Sequence, residues 1–240
     1  MGPRNAKPNW GTDVLRGADF QGIKENIKTV FGQIDKKWVD VYLFLADRFV
    51  RVSVAEDLVF QYVYRLFYML DGAHLSQKLM DRYFELMEAA RGSNPVDIRS
   101  IVKALYDIPN SKGKHRLLFS FATKLAHTVN STHAIYDGNV TTYFGFGGST
   151  GPGFDAKLQS LMNFYSDLNE CYKRTLADGA LADVVQQFRD TYSPLVPDVK
   201  ILDFIFMSAG NLGLSVSIPP VVAGASATSG VNQAALGAKG

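Results

Sequence analysis

The chain has 240 residues, 47% hydrophobic and 12% aromatic, enough apolar side chain for one sizeable core, which excludes a globally disordered protein. Its 25 Lys and Arg stand against 23 Asp and Glu, a formal net charge of +2, so a case for a polyanionic partner has to be made locally. The single cysteine, Cys171, makes no internal disulfide and fits a cytoplasmic protein; there is no run of ~18 apolar residues to span a membrane, and polar Met1–Gly11 lacks the apolar stretch of a signal peptide.

Residues 1–18 read as a flexible N-terminal arm. A short helix is predicted over Phe20–Phe31, and Lys37–Val50 carries Trp38, Val41, Tyr42, Leu45 and Phe49 at helical spacing. Glu56-Asp57 opens the next helix, where acidic residues suit the positive end of the macrodipole. Leu58–Leu70 is apolar on nearly all sides, interrupted by Gln61 and Arg65, and is expected to be the most buried helix. Leu75–Ala90 is another helix, and Asn94-Pro95 is expected to cap and start Val96–Tyr106. After a turn at Ser111–Gly113 a helix is predicted from Leu117 to Val129. A short one then runs from Asp137 to Phe144, followed by a glycine-rich loop over Gly145–Gly153. Phe154–Leu176 and Leu181–Tyr192 are amphipathic, and Pro197-Asp198 introduces a last helix to Met207. Residues 19–210 form the helical domain, and 211–240, rich in Gly, Ala and Ser, read as a flexible tail. No strand pattern persists, so the fold class is all-α, with about nine or ten helices.

The most informative stretch is Ser111–Tyr136, which contains no Asp or Glu but holds Lys112, Lys114, Arg116 and Lys124 with three histidines. Lys112-Gly113-Lys114 sits in a turn expected to feed a helix N-terminus, where free backbone N–H groups and the helix dipole favour a phosphate. A solvated basic face explains the charge alone equally well. Asp137 follows Ala134-Ile135-Tyr136 and precedes Gly138-Asn139-Val140; a helix N-cap is a sufficient structural reason for it.

The order of turn, apolar helix with a lysine, loop and apolar-apolar-Asp-x-x-Val resembles the core of the helix-hairpin-helix DNA glycosylases, 8-oxoguanine glycosylase-like. Phe119-Ser120-Phe121-Ala122-Thr123-Lys124 with Ile135-Tyr136-Asp137 is most similar to the prokaryotic anti-phage branch. The resemblance spans about residues 50–207, with motif quality over 108–140; Glu56–Tyr68 and Leu202-Asp203-Phe204 resemble that branch less specifically. It implies an all-α bundle with a divergent helix-hairpin-helix core, and a cytoplasmic hydrolase for antiviral defence or base-excision repair. Such an enzyme binds DNA, flips a modified base into a pocket and excises it, leaving an abasic site. For the anti-phage branch the base implied is a large or glycosylated pyrimidine such as glucosylated hydroxymethylcytosine; for the wider family it is an oxidised purine.

Carried over, Asp137 is the catalytic aspartate and Lys124 the catalytic lysine. Lys112, Gly113, Lys114, Arg116 and Asn139 contact DNA, and Tyr136, Phe119 and Ser120 line the base pocket. Phe60, Tyr64, Tyr68 and Phe121 are further aromatics from nearby helices. The family's hairpin is Leu-Pro-Gly-x-Gly, whereas Ile108–Lys114 has only Gly113. Its lysine lies about 18–20 residues before the aspartate, whereas Lys124 lies 13 and Lys114 lies 23 residues before Asp137, which favours base release without strand cleavage.

No metal site is predicted, because the four histidines include no tightly spaced pair, and no cofactor is implied. Gly145–Gly151 lacks the lysine of a phosphate-binding loop. A helical ribonuclease would need Arg116 and His127 to cooperate, but their separation puts them ~16 Å apart along a helix. The competing class is a non-enzymatic helical module that binds DNA or protein, with Ser111–Lys124 as its contact face.

Overall fold

The computed structural model describes Leu15, residues 18–73 and residues 75–217. The rest of the arm and tail read from the sequence, residues 1–14, 16, 17 and 218–240, lies outside the described residues.

Among the described residues the chain is all-α. Its helices are α1 (Gln21–Glu25), α2 (Ile27–Gly32), α3 (Lys36–Arg51), α4 (Leu58–Phe67), α5 (Gln77–Ala89) and α6 (Ile98–Tyr106), then α7 (Phe119–Val129), α8 (Gly138–Tyr143), α9 (Gly153–Ala177), α10 (Ala182–Thr191) and α11 (Asp198–Asn211), with a 3-10 turn at Leu70–Ala73. The single helix expected over Phe20–Phe31 is two, α1 and α2. At the break, the Asn26 side-chain amide bonds back to the Gly22 carbonyl at 2.9 Å.

Side-chain caps set several starts. Asp57, Ser76, Asp97 and Asp137 accept from the amides of Phe60, Leu79, Ser100 and Asn139 at the heads of α4, α5, α6 and α8. The cap of α6 is therefore Asp97 and not Asn94, and the Asn94–Pro95 peptide is cis.

The expectation for the most buried helix is overturned. On α4 only Phe60 and Tyr64 are buried, while Leu58, Val59, Tyr62 and Leu66 are exposed. The central helix is α11, with ten of its fourteen residues buried and neighbours in α2, α8, α9 and α10. It also runs past Met207, because Ser208-Ala209-Gly210 is small-residue packing surface rather than the start of a tail. Residues 212–217 continue on the body: the Val216 amide donates to the Tyr143 carbonyl at 2.9 Å, and Ser217 bridges Asp19.

α8 lies directly against α11. A Cβ built on Gly210 would lie 1.9 Å from the Asn139 carbonyl oxygen and 2.7 Å from its carbon. Glycine at 210 thus lets the head of α8, with Asp137 as its cap, rest on the backbone of α11.

Candidate active site

Lys124 projects from α7, and the loop 130–136 returns the chain to Asp137. The loop is tied at each step. Asn130 Oδ1 accepts from the Thr132 amide at 3.0 Å, and the Ala134 amide donates to Asn169 Oδ1 at 2.9 Å. Tyr165 Oη donates to the Ala134 carbonyl at 2.8 Å, and the Tyr136 amide donates to Thr123 Oγ1 at 3.1 Å. Asp137 is extended, φ −127° and ψ 154°, and the residues on either side of Tyr136 line a surface that Tyr136 does not, the alternation of an extended chain. Ile135 and Asp137 face one side, a cavity of about 330 Å³.

Lys124 lines the same cavity, so the 13-residue spacing does not separate it from Asp137. The opposite wall comes from the end of α4, where Phe67, Tyr68 and Met69 line it. Met69 is 79% exposed and has a left-handed backbone, φ 54°, uncommon for a residue with a side chain. Trp38 of α3 and Phe204 and Met207 of α11 complete the apolar lining, and Lys200 and Asp203 of α11 add a second charged pair.

The lysines are held differently. Lys124 is 8% exposed; its Nζ donates to the Tyr68 carbonyl at 3.1 Å and lies 5.6 Å from the Phe121 ring centre. Burial pulls its pKa below the ordinary lysine range, against the opposing pull of Asp137 and Asp203. Lys200 Nζ donates to Asp203 Oδ2 at 2.6 Å, with both side chains 4% exposed. It also lies over the rings of Phe204, Tyr42, Phe67 and Tyr68, at 4.5, 5.4, 5.7 and 5.7 Å. Burial raises the Asp203 pKa, opposed by Lys200, and Asp203 Oδ1 is buried without a hydrogen-bond partner.

Beneath this floor lies a neutral histidine. His127 Nδ1 donates to the His133 carbonyl at 2.7 Å, which leaves Nε2 as the acceptor for Tyr42 Oη at 3.3 Å. Complete burial pushes the His127 pKa down to about 3, and Lys200 adds to the effect.

The expected base-pocket residues lie elsewhere. Tyr136 points away from the cavity and packs against Phe119, Phe146 and Phe164 at 5.2, 6.2 and 6.0 Å between ring centres. Phe119 is core, and Ser120 is half-buried outside the lining. The extended chain alternates, so adjacency to Asp137 turned Tyr136 to the wrong side. The rings that do line the cavity are Trp38, Phe67, Tyr68 and Phe204; of these Tyr68 stands among the candidate aromatics and Phe204 in the Leu202-Asp203-Phe204 stretch of the resemblance, while Trp38 and Phe67 read as helix packing alone. Lys200 and Asp203 carried a readable signal: two charges inside an apolar helix are forced to be buried and paired.

The basic turn also differs from expectation. It does not lead directly into a helix, since residues 115–118 intervene before α7, and its amides are already engaged. Asn110 Oδ1 accepts from the amides of Lys112 and Lys114, both at 3.0 Å, and its carbonyl accepts from the Gly113 amide at 2.9 Å. What the turn offers a phosphate is therefore the exposed side chains of Lys112, Lys114 and Arg116. Arg116 Nη1 donates to the Ala73 carbonyl at 3.1 Å, at the end of the 3-10 turn that follows Met69, so this basic surface adjoins the segment that borders the cavity. Asn139 gives its amide to Asp137 at 2.9 Å and presses its carbonyl on Gly210.

Among the described residues no group of three or more His, Cys, Asp or Glu converges as metal ligands, and no helix is long and apolar enough to cross a membrane. No protein-family model, no curated protein and no solved structure matches the chain.

Proposed function

We propose that the chain is a DNA glycosylase with a divergent helix-hairpin-helix core, which takes a flipped, modified base into the cavity and releases it, leaving an abasic site. The observation that carries the reading is that Asp137 and Lys124, the two residues the family motif singles out, line one aromatic-walled cavity. It is supported further by the exposed basic turn, joined through Arg116 to the segment ending beside Met69. A cavity of about 330 Å³ is at the small end of ligand pockets and suits one heterocycle, with space for a substituent. Cytoplasmic anti-phage defence against a glucosylated hydroxymethylcytosine, or repair of an oxidised purine, are the settings the motif suggests.

In this reading the base leaves its stack at a cost of a few kcal/mol and the cavity's rings receive it. As the bond from C1′ to the base nitrogen breaks, its electron pair leaves with the base and positive charge builds on the sugar. The fixed Asp137 carboxylate stabilises that charge. Water then adds to C1′ and passes its proton to Asp137, and the departing base is protonated from solvent.

A second reading is favoured by the place of Lys124 in the cavity lining beside Asp137, where burial lowers its pKa. Once deprotonated, its amine is a nucleophile: attack at C1′ displaces the base with the electron pair of its bond, and opening of the sugar ring gives a Schiff base from which the strand is cleaved.

The test is abasic-site formation on phage DNA carrying glucosylated hydroxymethylcytosine and on an oligonucleotide carrying an oxidised purine. Asp137→Asn keeps the helix cap, since Asn caps about as well as Asp, so stability should change little. Base release should fall by at least ~100-fold, the typical worth of one such electrostatic group. A folded Asp137→Asn protein releasing base as fast as its parent sinks the reading. DNA binding with no abasic sites on either substrate favours the non-enzymatic module.

A further inference from the structure

The Lys200–Asp203 pair has no assigned part in base release. A buried ion pair is weak grounds for stability, since apolar residues of similar volume often replace one without loss. The pair is also incompletely satisfied. Asp203 Oδ2 has Lys200, but Asp203 Oδ1 is buried and unbonded in a residue that lines the cavity. A carboxylate oxygen stripped of water and given no donor is a standing demand for an N–H. Among the described residues Lys200 Nζ has one hydrogen bond, to Asp203, and otherwise faces rings, so it has N–H groups to give.

The charges around the cavity narrow the ligand. Two lysines and two aspartates line it, Lys124 and Lys200 with Asp137 and Asp203. A phosphate would meet both carboxylates, and an organic cation would have to displace Lys200 from the rings it already covers. What fits is a neutral, flat ring that presents an N–H beside an acceptor on one edge.

We propose that Asp203 and Lys200 read the edge of the ring the cavity holds: a turn about the soft Cβ–Cγ torsion brings the buried Asp203 Oδ1 to the cavity to accept the ring's N–H, and Lys200 Nζ donates to the neighbouring ring acceptor. For a nucleic-acid ligand this edge is the amine beside a ring nitrogen of a cytosine or adenine type base, or the N–H beside a carbonyl of a keto base. The inference rests on the base-pocket reading and adds the specificity determinant to it.

The test uses two neutral rings of nearly the same shape, 2-aminopyrimidine and 2-methylpyrimidine, which differ in having or lacking the N–H. Each is titrated to high millimolar concentration into ¹⁵N-labelled full-length protein, following the Trp38 indole resonance at the cavity wall. The amino compound is expected to bind roughly tenfold or more tightly, the worth of a hydrogen bond to a charged group. The single variant Asp203→Leu strands a buried lysine, so the comparison is with Lys200→Met/Asp203→Leu, which removes both charges and leaves none stranded, its fold checked by the ¹⁵N spectrum. In that variant the two rings should bind alike. Equal binding of both rings to the parent protein overturns the edge reading and leaves the base pocket standing. A preference that persists in the double variant overturns it too. No shift with either ring overturns the base pocket and the edge reading together.

Discussion

The carbonyl oxygen of Asn139 occupies the place a side chain at Gly210 would need, 1.9 Å from where its Cβ would be. The obstacle is backbone, not the end of a flexible side chain, so relief requires α8 to move off α11. Gly210→Ala is expected to cost roughly 2–3 kcal/mol, the upper part of the ~1–3 kcal/mol typical of overpacked cores, because the clash is with backbone. Chemical denaturation measures it. Gly32→Ala is the control: its new methyl would meet nothing within 4 Å, and removing a glycine from a helix should leave stability unchanged or raise it by up to ~1 kcal/mol. Equal effects at the two positions would show that the α8–α11 contact is soft.

Lys124 decides between hydrolysis and amine chemistry. With its Nζ tied to the Tyr68 carbonyl, hydrolysis is the expected course, so borohydride should trap no protein on the DNA while base release continues. A covalent adduct that disappears in Lys124→Met would transfer the proposal to the amine mechanism.

Because Asn110 occupies the amides of the basic turn, its contribution to DNA binding should be point charge alone. Replacing Lys112 and Lys114 by Ala should weaken binding equally for every sequence and reduce the salt slope by about one to two. Fluorescence anisotropy across a salt series reads both, and an unchanged slope would reduce the turn to a solvated face.

His127 should make the fold sensitive to acid. Its folded pKa of about 3 lies below its unfolded value of 6.5, so the unfolded chain takes up the proton first as pH falls. The stabilisation is complete above the unfolded pKa and is lost progressively down to the folded one. Between about pH 6.5 and 4.5 the loss should be about 2–3 kcal/mol, with His133, whose pKa burial also lowers, changing stability in the same direction. Urea midpoints at the two pH values, compared with His127→Gln, check this; a variant as acid-sensitive as its parent would clear His127 of the effect.

Local signals in the chain were reliable where they are themselves local. Asp57 and Asp137 were legible as helix starts because a capping carboxylate acts on amides two or three residues away. Lys124 and Asp137 were legible as a pair through the motif, and both line the cavity. What depended on tertiary packing was not legible. The apolar circumference of α4 says nothing of which side the bundle covers, and four large apolar side chains there face outward. The direction of Tyr136 follows from an extended loop whose register is fixed by Thr123, Asn169 and Tyr165, none of them adjacent in sequence. Small residues at 208–210 resemble a linker until α8 is seen to rest on them.

The placement of α11 has a consequence for synthesis on the ribosome. The helix around which α2, α8, α9 and α10 gather is the last one described in the chain. α3 packs on α4, and α5 and α6 pack on α7, but α2, α8, α9 and α10 each keep a face uncovered until residues 198–211 are released from the exit tunnel. The half of the bundle built on α11 closes only when that helix is out, and the nascent chain is most in need of a chaperone just before it arrives.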